Sequence, residues 1–190
     1  MSIKSIVELL AQADTTLPDN TTQEITPADV RQIVKDILDT LSPAYGAMTL
    51  ASQVLALSAT PTVIAPFATS LAAQAGYYVN GLPGGTVTRQ VAAAGVAGAT
   101  DFFIASGAVS GGNNNSVVIE IFKNGVATGY KTSVTCTGAG DNQGFNIAGL
   151  SYTAAPSDAV YTLRATGPAG SYTFVDVTML VQAQPVRSFV

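Results

Sequence analysis

The sequence contains no histidine and no tryptophan, one cysteine, and few charges: 11% of its 190 residues are Asp, Glu, Lys or Arg, where about 25% is usual. Each shortage excludes a class of function. One cysteine cannot form a disulfide within the chain, and without histidine a Cys/His zinc site has no ligand set. The usual general base near neutral pH is missing, so Ser-His-Asp chemistry and most metal hydrolysis drop out. Low charge together with 47% apolar residues is the opposite of the disordered composition. The net charge of −4 argues against nucleic acid, which selects basic surfaces.

Long hydrophobic runs are also missing. Mean hydropathy is +0.35, and no charge occurs from Thr40 through Thr88. Yet Ser, Thr, Gln and Pro break that stretch every few positions, whereas a spanning helix needs about 20 continuous apolar residues. The opening Met1-Ser2-Ile3-Lys4, followed by Ile6-Val7-Glu8-Leu9-Leu10, is too short and polar for a signal peptide. A soluble protein without membrane insertion is expected, with a length suited to one domain and a small extension.

What is present divides near Pro43. Residues 1–44 hold seven acids and three bases; residues 45–190 hold five of each. The first part is therefore acidic and the second almost uncharged. So little charge implies a surface made of Ser, Thr, Asn and Gly, or one buried between subunits.

Residues 1–44 read as a short helical segment. Ile3, Ile6, Val7 and Leu10 follow helical spacing and form a candidate N-terminal anchor. Leu17-Pro18-Asp19-Asn20 is a turn cluster. Thr26, Pro27 and Asp29 then suit an N-cap, a first helical position and a capping acid. Val30, Val34, Ile37 and Leu41 are spaced 4, 3 and 4 apart, the heptad pattern of a self-associating stem. The same spacing fits a helix packed on its own domain. Two heptads cannot hold a coiled coil alone, so a neighbouring oligomeric domain would have to hold the copies together.

Residues 45–190 read as β. Strands are expected at Met48–Val54, Thr62–Pro66, Thr86–Val91, Asp101–Val109, Ser116–Lys123, Tyr130–Cys136, Gly144–Tyr152, Val160–Ala165 and Tyr172–Gln182. Such short strands at regular spacing predict a sandwich or jelly roll. Lys123-Asn124-Gly125-Val126 predicts a type I′ hairpin. Alternation puts Val117, Ile119 and Ile121 on one face of their strand, and Val118, Glu120 and Phe122 on the other. In the last strand it puts Thr173, Val175, Val177, Met179 and Val181 on a core face, opposite Tyr172, Phe174, Asp176, Thr178 and Leu180. Aromatics on a supposed outer face need a cover. Val118, Phe122, Tyr172, Phe174 and Leu180 are therefore the expected subunit interface, although an ordinary two-sided core strand would give the same pattern.

Motifs that carry chemistry are few. None of the glycine runs has dinucleotide or phosphate-loop spacing. Asp141, within Gly138–Gly144, is one acid where calcium usually takes several carboxylates, so a turn is expected. A pair of carboxylates could cleave glycans; Glu120 and Asp176 lie mid-strand and are the best pair, but hydrogen bonds or ion pairs with Lys123, Lys131 or Arg164 are the simpler expectation. Cys136 reads as a small buried residue. Asn113-Asn114-Asn115 reads as an exposed loop tip that could meet sugar hydroxyls. No cofactor, metal or catalytic residue is expected.

Two stretches carry a resemblance. Leu17-Pro18-Asp19-Asn20-Thr21-Thr22, Glu24-Ile25-Thr26-Pro27-Ala28-Asp29-Val30-Arg31, Asp36-Ile37-Leu38-Asp39 and Tyr45-Gly46 resemble the opening module of tailed-phage virion fibre and head-decoration proteins. Asp101-Phe102-Phe103-Ile104-Ala105, Val117-Val118-Ile119-Glu120-Ile121-Phe122-Lys123-Asn124-Gly125, Ala148-Gly149-Leu150, Asp158-Ala159-Val160-Tyr161-Thr162-Leu163-Arg164 and Val175-Asp176-Val177-Thr178-Met179-Leu180 resemble the TNF/C1q-like jelly roll often joined to it, with Gly-Leu at a corner. The resemblance implies a helical segment at 1–44 and a jelly-roll β-sandwich at 45–190. It implies a homotrimeric, non-enzymatic virion protein assembled in the host cytoplasm, with phage capsid or tail proteins as partners; contact of the exposed loops with cell-surface carbohydrate is a separate hypothesis. A head fibre or decoration protein is favoured over a short tail fibre or receptor-binding protein. A cellular C1q/TNF-like binding module is a further alternative, but it would need a stalk, and no Gly-X-Y repeat is present.

Overall fold

The computed structural model describes Val30, Val34 and residues 45–73, 77–90, 99–153 and 157–185. Val30 and Val34 are helical and about half exposed. The remaining expected anchor and stem residues, Ile3, Ile6, Val7, Leu10, Ile37 and Leu41, lie outside the described residues.

Eleven strands are found among the described residues: β1 (Tyr45–Leu57), β2 (Thr62–Val63), β3 (Thr69–Ala73), β4 (Tyr78–Gly81), β5 (Thr86–Arg89), β6 (Ala99–Gly111), β7 (Asn115–Lys123), β8 (Val126–Cys136), β9 (Gln143–Thr153), β10 (Ala159–Thr166) and β11 (Gly170–Pro185). One sheet has the order β3-β1-β11-β6-β9; the other has β4-β5-β10-β7-β8, with β2 also pairing β10. The long pairings are nested. β1 pairs with β11, β5 with β10, β6 with β9 and β7 with β8, all antiparallel. Folding such a nested ladder over itself gives the jelly-roll β-sandwich. Strands β3 and β4 are additional to the sequence expectation. The stretch expected to be a strand over Thr62–Pro66 is a strand only at Thr62 and Val63, with Ile64 N adding a bond to Leu163 O at 2.9 Å.

The turn between β7 and β8 is as expected. Asn124 and Gly125 have φ of 51° and 79°, the left-handed pair that a type I′ hairpin requires. The Asn124 side chain accepts a bond from Val160 N at 2.8 Å, while Asn124 N donates to Val160 O at 2.8 Å. The turn is thereby tied to the start of β10.

The core lies between the sheets. Val117, Ile119, Ile121, Leu163 and Val87 face it from one side, and Met48, Leu50, Phe103, Phe145, Met179 and Val181 from the other. Cys136 is buried among them, and burial pushes its thiol pKa up. Ala148-Gly149-Leu150 is not a corner; it runs through the middle of β9. Gly149 is needed for packing. A Cβ there would stand 2.5 Å from the Tyr130 ring and 2.6 Å from the Phe103 ring.

The last strand departs from strict alternation. Asp176 takes φ of 51°, and the register of β11 against β6 shifts between Val175 and Thr178. This is a β-bulge, which inserts one residue and flips the faces beyond it. Tyr172 and Phe174 therefore share the buried side with Val177, Met179 and Val181. The expectation that Tyr172 and Phe174 lie on the outer face with Leu180 is corrected: both are buried in the core of their own chain.

Strand polarity gives the sandwich two distinct ends. β1 starts beside the end of β11, with Tyr45 opposite Gln182, and finishes beside its start, with Leu57 opposite Gly170. The described chain thus enters and leaves at one end, with the Asn124-Gly125 turn. Segments 58–61, 112–114, 137–142 and 167–169 gather at the other.

Candidate functional site

Asp101, Arg89, Lys123 and Tyr161 occupy core-facing positions at the chain-entry ends of β6, β5, β7 and β10. Arg89 and Asp101 are completely buried, with Arg89 Nε 2.5 Å from Asp101 Oδ1. Tyr161 donates its hydroxyl to Asp101 Oδ2 at 2.6 Å. Arg89 also donates to Ser157 O at 2.8 Å and to Thr153 Oγ1 at 3.4 Å. Lys123 Nζ donates to Thr153 Oγ1 at 2.6 Å and Ser151 Oγ at 2.9 Å, and lies 3.7 Å from Asp101 Oδ2. Burial disfavours the charged forms of the two tyrosines and the lysine at this end. It raises the Tyr161 and Tyr78 hydroxyl pKa values, with the Asp101 charge adding to the effect, and it lowers that of Lys123. The cluster ties the two sheets together with polar contacts inside an apolar core.

Strand parity could have located this cluster. Lys123 continues the series Val117, Ile119, Ile121, and Asp101 precedes Phe103 and Ala105 in the same phase. Four polar side chains at buried phase, all near one end, must meet because a buried charge needs a partner.

Lys123 also lines an open cleft of about 350 Å³ at the β8–β9 edge, together with Val126, Tyr130, Leu150, Ser151 and Tyr152. Tyr130 packs edge-on against Phe103, with ring centroids 5.2 Å apart.

The two outer faces of the sandwich differ in character. On the six-stranded sheet, Arg164, Glu120 and Lys131 lie opposite one another across β10, β7 and β8, a charged row suited to solvent. Glu120 accepts a bond from Gly129 N at 3.0 Å. Phe122 lies on this face and is covered by its own chain, with the Arg164 guanidinium 4.5 Å from the ring centroid. Val118 is half-buried on the same face. On the five-stranded sheet, the rows Ala47, Leu180, Ile104, Ala148 and Tyr45, Gln182, Phe102, Leu150 cross β1, β11, β6 and β9. The five strands contain two charged residues, Asp101 in the core and Asp176 at the bulge.

The five expected interface residues are therefore not brought together. Tyr172 and Phe174 are in the core, Val118 and Phe122 lie outside one sheet, and Leu180 lies outside the other. Glu120 and Asp176 are likewise on different sheets and do not form a carboxylate pair.

At the end opposite the chain entry, Asn113 and Asn114 are exposed, as expected for a loop tip. Asn115 instead anchors the loop, its side-chain nitrogen donating to the Tyr172 hydroxyl at 3.0 Å. Neighbouring loops are joined by Gly111 N to Gly138 O and Gly167 N to Ser58 O, both 3.1 Å. Asp141 accepts a bond from the Thr137 hydroxyl, within a turn. No helix among the described residues is long and apolar enough to cross a membrane.

No protein-family model matches the sequence, and no curated protein does. The fold is similar to that of murine APRIL at pH 5.0, with 6% identity and a TM-score of 0.46, covering 75% of this chain and all of that one. It is similar to the PRD1 vertex protein P5, with 9% identity and a TM-score of 0.42, covering 75% of this chain and 97% of that one. It is also similar to the globular domain of zebrafish complement 1qA protein, with 10% identity and a TM-score of 0.44, covering 77% of this chain and all of that one.

Proposed function

We propose that this chain is a tailed-phage virion structural protein, a non-enzymatic homotrimer attached through residues 1–44 and displaying its β-sandwich as a head fibre or decoration protein. The observation that carries the reading is the apolar part of the outer face of the five-stranded sheet, the two rows that hold Leu180, Ile104, Phe102 and Tyr45, beyond which lie the polar row Thr49, Thr178, Ser106, Asn146 and the exposed Asp176. A contiguous apolar face of this kind is costly in water and suits burial against another copy. The six-stranded sheet, with its Arg164, Glu120 and Lys131 row, suits the solvent side. The two-ended sandwich supports attachment and display: residues before Tyr45 join at the entry end, while Asn113 and Asn114 project from the other. Those loops are the surface that would meet a host glycan. Three copies held together would add their weak contacts through effective concentration.

The virion assignment rests on the resemblance of residues 17–46 to the opening module of phage fibre and decoration proteins. Immunogold labelling of phage particles with antibody to the β domain tests it. Label on the heads is expected. Label confined to tails would replace the head assignment with a short tail fibre, and particles without label would overturn the virion reading.

A further inference from the structure

The cleft beside Lys123 contains a cation and two tyrosines that the assembly reading leaves unused. Its sides are exposed apolar and aromatic groups: Val126 is 69% exposed, Tyr152 60%, Leu150 55% and Tyr130 39%. Lys123 also lines it, with a side chain 16% exposed. An ammonium has three N–H donors. Two acceptors lie at ordinary length, Thr153 Oγ1 at 2.6 Å and Ser151 Oγ at 2.9 Å. Beyond these stand the Tyr161 ring, its centroid 5.7 Å from Nζ, and two long contacts, Tyr152 O at 3.5 Å and Asp101 Oδ2 at 3.7 Å, outside the usual N–H···O range. Asp101 is already held closely by Arg89 and Tyr161. Within this cluster two cations share one carboxylate, and no acid borders the cleft.

We propose that this cleft binds an acidic sugar residue, with its carboxylate on Lys123 Nζ and its ring against Tyr130 and Tyr152. An external carboxylate would give Lys123 a third acceptor at ordinary length and place a negative charge where the cluster has an excess of positive. Tyrosine rings offer flat apolar surface to the C–H face of a pyranose, while their hydroxyls and that of Ser151 can meet its polar edge. The volume is at the lower end of small-ligand sites, fitting one ring rather than a long chain. This assignment is argued on the single chain, and because Leu150 also belongs to the sheet face on which the proposed function seats another copy, it requires that copy to leave the β8–β9 edge open.

The test is titration of the isotope-labelled full chain with glucuronate, glucose and acetate in the millimolar range, followed by NMR. Glucuronate is expected to shift the signals of Lys123, Tyr130, Ser151 and Tyr152, with affinity at least about tenfold above glucose and above acetate, as a charge-assisted bond added to ring contact implies. Lys123→Met is expected to reduce glucuronate binding to the glucose level. Because Lys123 has structural contacts, Tyr152→Ala provides a second variant at an exposed position; it should weaken binding about tenfold and leave the unfolding midpoint unchanged. Equal affinity for glucose would remove the role of Lys123, and equal affinity for acetate would remove the ring. Absence of saturation, or shifts elsewhere, would overturn the site.

Discussion

Replacing Asp101 with Asn should destabilise the protein more than its single atom change suggests. The carboxylate is completely buried, 2.5 Å from Arg89 Nε, and accepts the Tyr161 hydroxyl at 2.6 Å. An amide keeps the shape but removes the charge, leaving the buried guanidinium with Ser157 O and Thr153 Oγ1. Removing one partner of a buried ion pair costs about 3–5 kcal/mol. That is a large part of a total stability of about 5–15 kcal/mol. With a urea slope of about 2 kcal/mol per molar, the midpoint should fall by about 2 M. The assay is equilibrium urea unfolding at one fixed protein concentration, because assembly would otherwise move the midpoint. The double variant Arg89→Met with Asp101→Leu should recover most of the loss, since an apolar pair of similar volume replaces a buried ion pair at little cost. A midpoint unchanged in Asp101→Asn, or a double variant no more stable than the single one, would refute the reasoning.

Phe174→Ala should cost about 3–5 kcal/mol in unfolding free energy, because the ring is buried within its own chain; a change in oligomer mass without loss of stability would return Phe174 to an interface. Gly149→Ala should cost about 1–3 kcal/mol by overpacking, with the Tyr130 and Phe103 rings both inside contact distance of the added methyl, and chemical denaturation measures it. At alkaline pH, Tyr78 and Tyr161 keep protons that the unfolded chain loses near their ordinary pKa of 10.0. Above that pH each should lower stability by about 1.4 kcal/mol per pH unit, and Tyr78→Phe should remove about half of the slope. Lys123 acts in the opposite sense: its folded pKa lies below 10.5, so stability rises with pH between the lowered value and 10.5. Unfolding midpoints measured from pH 9 upward test both signs.

Much of the sandwich was legible because alternation and turn chemistry act locally. Val117, Ile119 and Ile121 are buried as their phase requires, and Asn124-Gly125 forms the hairpin that its positive φ values allow. Phase fails where the backbone inserts a residue. The bulge at Asp176 reverses inside and outside along β11, and nothing in the surrounding alternation announces it. That one irregularity puts Tyr172 and Phe174 in the core. Strands β3 and β4 were hidden for another reason: Thr69–Ala73 is short and rich in alanine, and Tyr78–Gly81 has only four residues, too few for a period to emerge. The polar cluster was legible in principle, since Asp101 and Lys123 continue buried series, but the partners come from four strands and meet only through tertiary pairing. Phe122 shows a different gap, because alternation identifies its face correctly but cannot reveal that Arg164 covers it.

The central claim is that copies of this chain assemble through the outer face of the five-stranded sheet. Light scattering of the full chain, alongside Ile104→Glu and Leu180→Glu, tests it directly. The account predicts a mass near three times 19.3 kDa for the unaltered protein. It predicts a single-chain mass with the fold retained for both variants, because a charge buried at an interface without a partner is strongly unfavourable. A single-chain mass for the unaltered protein, or a trimer that survives both substitutions, would contradict it.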